Sequence, residues 1–383
     1  MDPRYLDVAS RWPLRPEAAT AWNDAVALDL GDPTRHHRPG RRAAELLDRA
    51  TATVATTFGV KPERIVWTSG GTEAVHLAVA GTVAAADHAG DHRSQIVVSA
   101  VEHSSVLEAA QRVAAASSRT VTTIGVDHAG RIDVDAARAA ISSDTLAVHV
   151  QHANHEVGTL QPVHEIARIA HDAGALVHVD ACQTAGQVGF TLAQLDADLI
   201  SASAAKFGGC AGVGVLALGD RARILPQFVG DDRQHHRRAG MLDTAALAAS
   251  AVALRVATDR LQQEHSTRET LRRRLREALV ARVPDVAVHG PLADAHPGIV
   301  AFSALYVDGA TLQIELDRAG FAVHSGSSCA SAAGAPSHVL VAMKALTHGH
   351  VRVSFGPETG VADIDAFVRA YAAIVERLRA RHR

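Results

Sequence analysis

At 383 residues the chain is long enough for two domains, and a composition of 47% hydrophobic and 21% charged residues is that of a globular protein. With 38 basic against 41 acidic residues it carries no field for collecting nucleic acid or an anionic membrane, whereas 23 histidines predict a charge that rises as pH falls toward 6. Cys182, Cys210 and Cys329 are too few and scattered for a disulfide scaffold or a cysteine zinc site, so no metal is expected. The start MDPRYLDVAS lacks the layout of a signal peptide, and no segment has the length of an apolar membrane span, so a soluble cytoplasmic protein is expected.

In chain order, short apolar, β-branched runs at 65–67, 95–99, 121–124, 146–150, 176–179, 199–201 and 213–216 read as strands. Between them 42–57, 72–85, 104–115, 133–141 and 162–173 read as amphipathic helices. Strands that are apolar on both faces and alternate with helices predict a mostly parallel sheet covered by helices. From about residue 250 the texture changes. A long helix covers 244–258 and, after a break, 268–282. Short strands near 286–289, 299–303 and 322–324 then alternate with helices near 310–318 and 336–343, before a last helix over 361–379. This second part reads as a smaller α+β domain.

Five places carry candidate chemistry. The strand at 65–67 runs into Thr68-Ser69-Gly70-Gly71-Thr72-Glu73, where glycines permit a tight turn and the following helix start attracts an anion; a plain strand-to-helix turn is the alternative. Asp180 ends the strand Val177-His178-Val179, where it either holds a protonated pyridine nitrogen or caps the next helix. Lys206 sits between alanines and Phe207-Gly208-Gly209, placed to form an imine with an aldehyde cofactor if it lies in a cleft. Cys329 lies in the polar loop His324-Ser325-Gly326-Ser327-Ser328, and such a loop favours exposure of this thiol over Cys182 and Cys210. Arg352, in Val351-Arg352-Val353-Ser354, suits either a substrate carboxylate or a salt bridge.

Together these pieces resemble the cysteine desulfurases of NifS and IscS type, a branch of the class-V aminotransferase-like enzymes. The likeness runs from Tyr5-Leu6-Asp7 through Glu102-His103, Glu156-Val157-Gly158-Thr159, Asp180-Ala181-Cys182-Gln183 and Pro336-Ser337-His338-Val339-Leu340 to Arg352-Val353-Ser354. It implies an α/β, fold-type I architecture: a large domain at 13–250 with a mostly parallel seven-stranded sheet, and a small α+β domain at 251–383 joined by residues 1–12. It implies pyridoxal 5'-phosphate bound through Lys206, with His103 stacked on the ring and Asp180 on its nitrogen. Gln183 and His155 would lie at the ring hydroxyl, and Gly71, Thr72 and Ser203 around the phosphate. Asn154 and Arg352 would bind substrate. The implied reaction converts L-cysteine to L-alanine with a persulfide on Cys329, in a homodimer that passes sulfur to a protein acceptor or scaffold. The alternatives are a C–S β-lyase acting on cysteine or a derivative, and a cofactor-poor scaffold subunit.

Three departures from the family's pattern fall around the cofactor. Ala205 stands where the family has a phosphate-binding histidine, His155 where it has a second asparagine, and Met241 where it has a threonine reaching the neighbouring subunit's phosphate. The phosphate site is therefore expected to be altered, with Arg11, Arg237, Arg238, His235 or His236 supplying replacement positive charge.

Overall fold

The computed structural model describes residues 4–325 and 336–381. Cys329, with its neighbours 326–335, lies outside the described residues.

The large sheet is built from β2 (Ile65–Thr68), β3 (Gln95–Ser99), β4 (Thr120–Ile124), β5 (Thr145–Gln151), β6 (Leu176–Asp180), β7 (Leu199–Ser203) and β8 (Gly214–Leu218). Their order is β2-β8-β7-β6-β5-β3-β4, and only β8 runs antiparallel to its neighbours. Every residue of β5 is buried, as an apolar strand covered on both faces requires, while the threonine-rich β4 at the edge is partly exposed. Helices α3 (Gly71–His88), α4 (Ser104–Ser117), α5 (Val134–Ala140), α6 (Val163–Asp172) and the single turn α7 (Leu192–Leu195) follow strands of this sheet. The helices α1 (Pro16–Val26) and α2 (Arg38–Phe58) pack on α9 (Thr244–Asp259) beside it. A one-turn α8 (Arg233–His236) lies in the connection between β8 and α9, and its Gln234 side chain bonds the edge of β2 through both the N–H and the C=O of Trp67.

The smaller unit holds β9 (Val286–His289), β10 (Ile299–Ala304) and β12 (His350–Ser354) in an antiparallel sheet, backed by α10 (Leu261–Arg282), α11 (Gly309–Arg318) and α13 (Val361–Ala380). Its core is aromatic: Phe302 meets Tyr371 edge-on at 5.0 Å between ring centroids. β1 (Arg4–Tyr5) pairs in parallel with β11 (Phe321–Ala322), and Leu6 is buried in the same core. α12 (His338–Ala342) starts at the Ser337 cap, two residues later than the sequence predicts.

Besides the short β1, α7 and α8, which the sequence reading lacks, two of the longer helices differ from it. α1 is absent from it, although Pro16 at the first turn is a start signal. The break placed at 259–267 shrinks to Arg260 alone, because the polar run Gln262-Gln263-Glu264 consists of good helix formers and continues α10.

Candidate active site

The carboxyl ends of β5, β6 and β7 and the start of α3 meet at one cavity of about 230 Å³, the position at which open α/β sheets bind ligands. Lys206, Asp180, His103, His155, Gln183, Ser203, Thr72, Gly71 and Arg352 all line it. Asn154 does not. Its carboxamide oxygen accepts from Glu156 N and Val157 N at 2.9 and 2.8 Å, and its Nδ2 donates to Val101 O, so it shapes the turn carrying His155. Arg11, Arg237, Arg238, His235 and His236 are also outside the cavity lining; Arg238 is held by Glu73 at 3.0 Å. Met241 is exposed in the single chain.

Several lining residues carry no signal that the sequence reading used. Ser10, Ser105, Gln151 and Cys182 line the cavity, and Asp7 binds Arg352 from outside its lining. Cys182 was passed over as the less exposed thiol, yet its position two residues past the strand-ending Asp180 places it there. Its thiol is pushed well above its ordinary value by burial and by the Asp180 carboxylate, so it is a poor nucleophile.

The local chemistry follows from the surroundings of each group. His103 Nδ1 accepts from the Ser105 N–H at 3.1 Å, which puts the proton of the neutral ring on Nε2. Burial, then the neighbouring His155, lowers His103 to about 4, so the ring is neutral near pH 7. Beside it, burial pushes Glu102 up to about 8, and this carboxyl keeps its proton at neutral pH. Burial acts against the charge of Glu156, but the His155 ring 3.6 Å away and the Ser337 hydrogen bond override it and hold the carboxyl at about 2. Arg352 Nη1 donates to His155 O, and Nη2 donates to Asp7 Oδ1 and Ser10 Oγ, each 2.7 Å away. A carboxylate entering the cavity thus meets a guanidinium whose plane is already set.

The lysine loop is held by its carbonyls. Trp12 N donates to Ala205 O, Gln187 Nε2 to Lys206 O, and Arg15 through N and Nε to Gly208 O and Phe207 O. Arg15 in turn forms a buried bidentate pair with Glu264 of α10 at 2.8 and 2.9 Å. Arg268 donates to Gln187 Oε1 at 2.7 Å, and Trp12 is flanked by the Arg15 and Arg268 guanidiniums at 5.3 and 5.4 Å. Lys206 Nζ donates to Ala9 O and Ser10 O at 2.6 and 2.7 Å. Arg15→Met leaves Glu264 buried without its partner and is expected to cost about 3–5 kcal/mol, read as a lower urea midpoint. The pair Arg15→Met with Glu264→Met should recover most of that loss; a single variant as stable as the parent would contradict the clamp.

The donor set fits a flat, hydrogen-bonding aldehyde bearing a phosphate. Gln183 Oε1 and His155 Nδ1 are buried and have no hydrogen-bond partner among the described residues, although both side chains belong to the cavity. A Cβ on Gly71 would stand 2.7 Å from Cys182 Sγ, so only glycine leaves room at the α3 start, where free N–H groups and the Thr72 and Ser203 hydroxyls gather. An amine, a carboxylate and an arginine share the same space. Among the described residues no cluster of possible metal ligands is found, and no helix is long and apolar enough to cross a membrane.

Comparison with known proteins places this architecture. The family described as Aminotransferase class-V matches residues 4–367. A cysteine desulfurase of Cereibacter sphaeroides is 37% identical over 384 residues, covering 99% of this chain and 97% of its own. The cysteine desulfurase IscS of Dictyoglomus turgidum is 33% identical over 378 residues, covering 98% and 95% respectively. A solved structure of a NifS-like protein superposes with a TM-score of 0.90 at 26% identity, covering 98% of this chain and 100% of that one.

Proposed function

From the premise that this chain belongs to the class-V aminotransferase family, and within it to the NifS/IscS-like cysteine desulfurases, we propose that it converts L-cysteine to L-alanine with a persulfide on Cys329. The observation that carries this reading is the convergence of Lys206, Asp180, His103 and Arg352 on one cavity. Pyridoxal phosphate, the family's cofactor, supplies an electron sink for the charge left when the substrate Cα loses its proton. Lys206 would hold it covalently, take the Cα proton and give it back to Cα in the product, while the proton lost by the Cys329 thiol goes to Cβ. Asp180 would keep the ring nitrogen protonated, neutral His103 would lie against the ring without adding charge, and Gln183 with His155 would bond its hydroxyl. Gly71, Thr72 and Ser203 would enclose the phosphate.

Arg352 would fix the substrate carboxylate. The Cys329 thiolate would then attack the substrate sulfur: a new S–S bond forms, the Cβ–S bond breaks with its electrons moving to carbon, and a proton completes the alanine methyl group. Ala205 and Met241 leave the phosphate with two fewer donors than the family pattern, each worth roughly 1–3 kcal/mol. The covalent link through Lys206 offsets that weaker grip. We read the protein as a cytoplasmic homodimer with a 13–250 cofactor domain and a 251–383 small domain completed by 1–12, handing sulfur to a protein acceptor and binding neither membrane nor nucleic acid directly.

Incubation with L-cysteine tests the reaction. Alanine together with a persulfide mapped to Cys329 is the expected outcome, and Cys329→Ala should keep the cofactor absorbance while losing the persulfide. Pyruvate and ammonia in place of alanine would make the protein a β-eliminating lyase.

A further inference from the structure

Behind Asp180, away from the cavity, the sheet carries an unusual polar line. His149 on β5 and His178 on β6 are cross-strand partners, and Asp180 on β6 is the partner of Ser201 on β7. His149 Nδ1 lies 3.1 Å from His178 Nδ1, His178 Nε2 lies 3.1 Å from Ser201 Oγ, and Ser201 Oγ donates to Asp180 Oδ1 at 3.4 Å. His149, His178 and Ser201 are all buried.

The protons in this line have one consistent arrangement. Burial holds His149 at about 4 and His178 well below its ordinary value, so each ring is neutral with one donor and one acceptor nitrogen. A carboxylate oxygen only accepts, so the Ser201 hydroxyl donates to Asp180. His178 Nε2 must then donate to Ser201 Oγ, which leaves His178 Nδ1 to accept from His149 Nδ1. The line ends at His149 Nε2, an acceptor with no partner among the described residues. Two imidazoles in a valine-rich sheet cost desolvation that an aliphatic pair would avoid. A requirement for stability alone does not call for them.

We infer that His149, His178 and Ser201 form a one-way hydrogen-bond relay aimed at Asp180, and that this relay positions and polarises the carboxylate assigned to the cofactor's ring nitrogen. It rests on the pyridoxal-phosphate reading given above. Aligned donors reinforce one another in a low-dielectric interior, so His149, two strands away from Ser201, acts on Asp180 without touching it. The same Asp180 oxygen also accepts from the Cys182 N–H at 2.9 Å, and the Cys182 thiol meets both Asp180 and Ser201; His103 and Glu102 also feel this carboxylate, with Lys206 nearby on the cavity side. The three residues are positioning residues, since none lines the cavity.

Two measurements on the full-length chain test the relay. Nitrogen NMR of histidine-labelled protein should show His178 protonated on Nε2 and His149 on Nδ1; the opposite protonation, or rapid exchange between tautomers, would overturn it. In the second, pyridoxal phosphate is added and the pH midpoint of its Lys206-linked absorbance is compared between the parent and Ser201→Ala, a change that removes one hydroxyl and leaves the strand its small side chain. With one donor lost, the Asp180 carboxylate becomes more basic and draws the shared proton away from the ring nitrogen, so the ring withdraws less charge from the lysine linkage and the midpoint should rise by roughly half to one pH unit. An unchanged or lowered midpoint contradicts the relay. Failure of the parent chain to link the cofactor would sink the cofactor reading instead, with the relay still decided by the tautomers.

Discussion

Replacing Lys206 by alanine should leave a folded protein that no longer forms a covalent link to pyridoxal phosphate and no longer turns over cysteine. The amine is the group through which the cavity would retain a cofactor whose phosphate cup is two donors short of the family pattern, so its loss should be felt in affinity as well as in rate. Loss of proton transfer alone is worth roughly 10²–10⁴-fold in turnover. The fold should tolerate the change, because the loop carbonyls remain held by Trp12, Arg15 and Gln187 when the Nζ bonds to Ala9 O and Ser10 O are lost. Absorbance after adding the cofactor, together with circular dichroism, checks both halves. A variant that keeps the lysine-linked spectrum would show that another amine is used.

The second large effect is a collapse of stability in mild acid. His149, His152, His178, His289, His296 and His350 lie buried away from the proposed ring contacts, and burial is the leading cause that lowers each: to about 4 for His149, His152 and His289, to about 3 for His350, and well below the ordinary value for His178 and His296. The unfolded chain binds protons at these positions below about pH 6.5, whereas the folded chain does not. Their contribution is therefore fully present above that pH and is lost as pH falls toward 4. Each group gives a slope of about 1.4 kcal/mol per pH unit. Even half of the six outweighs the opposing slope of Glu102, whose raised value favours the folded state on acidification from about 8. Against a stability of order 5–15 kcal/mol, unfolding between about pH 6 and pH 5 is expected. Urea midpoints measured as a function of pH read it directly; a flat profile down to about pH 4.5 would show that these imidazoles do titrate in the native state.

This changes what the histidine count means. Composition alone predicts a surface charge that rises toward pH 6, but a large share of the rings are interior and stay neutral, and only the fold distinguishes the two populations. The strands of the large sheet were legible because burial on both faces forces continuous apolar runs, and the glycine turn at Gly71 and the strand-ending Asp180 were legible because strand ends are where ligands bind. The lysine clamp was not. Arg15 and Glu264 are 249 residues apart, and nothing local to either foretells the other. Likewise His149 and His178 become partners only through the β5–β6 register. Asn154 shows the opposite limit: a motif position can lie beside the site and be occupied entirely with holding a turn.

The cofactor assignment is open to one direct measurement. The chain has three lysines, Lys61, Lys206 and Lys344, and only Lys206 lines the cavity. Borohydride reduction of the full-length chain mixed with pyridoxal phosphate, followed by peptide mass mapping, should place the phosphopyridoxyl group on Lys206 at stoichiometric yield. Labelling of Lys61 or Lys344 in its place, or no stable label at all, would contradict the account.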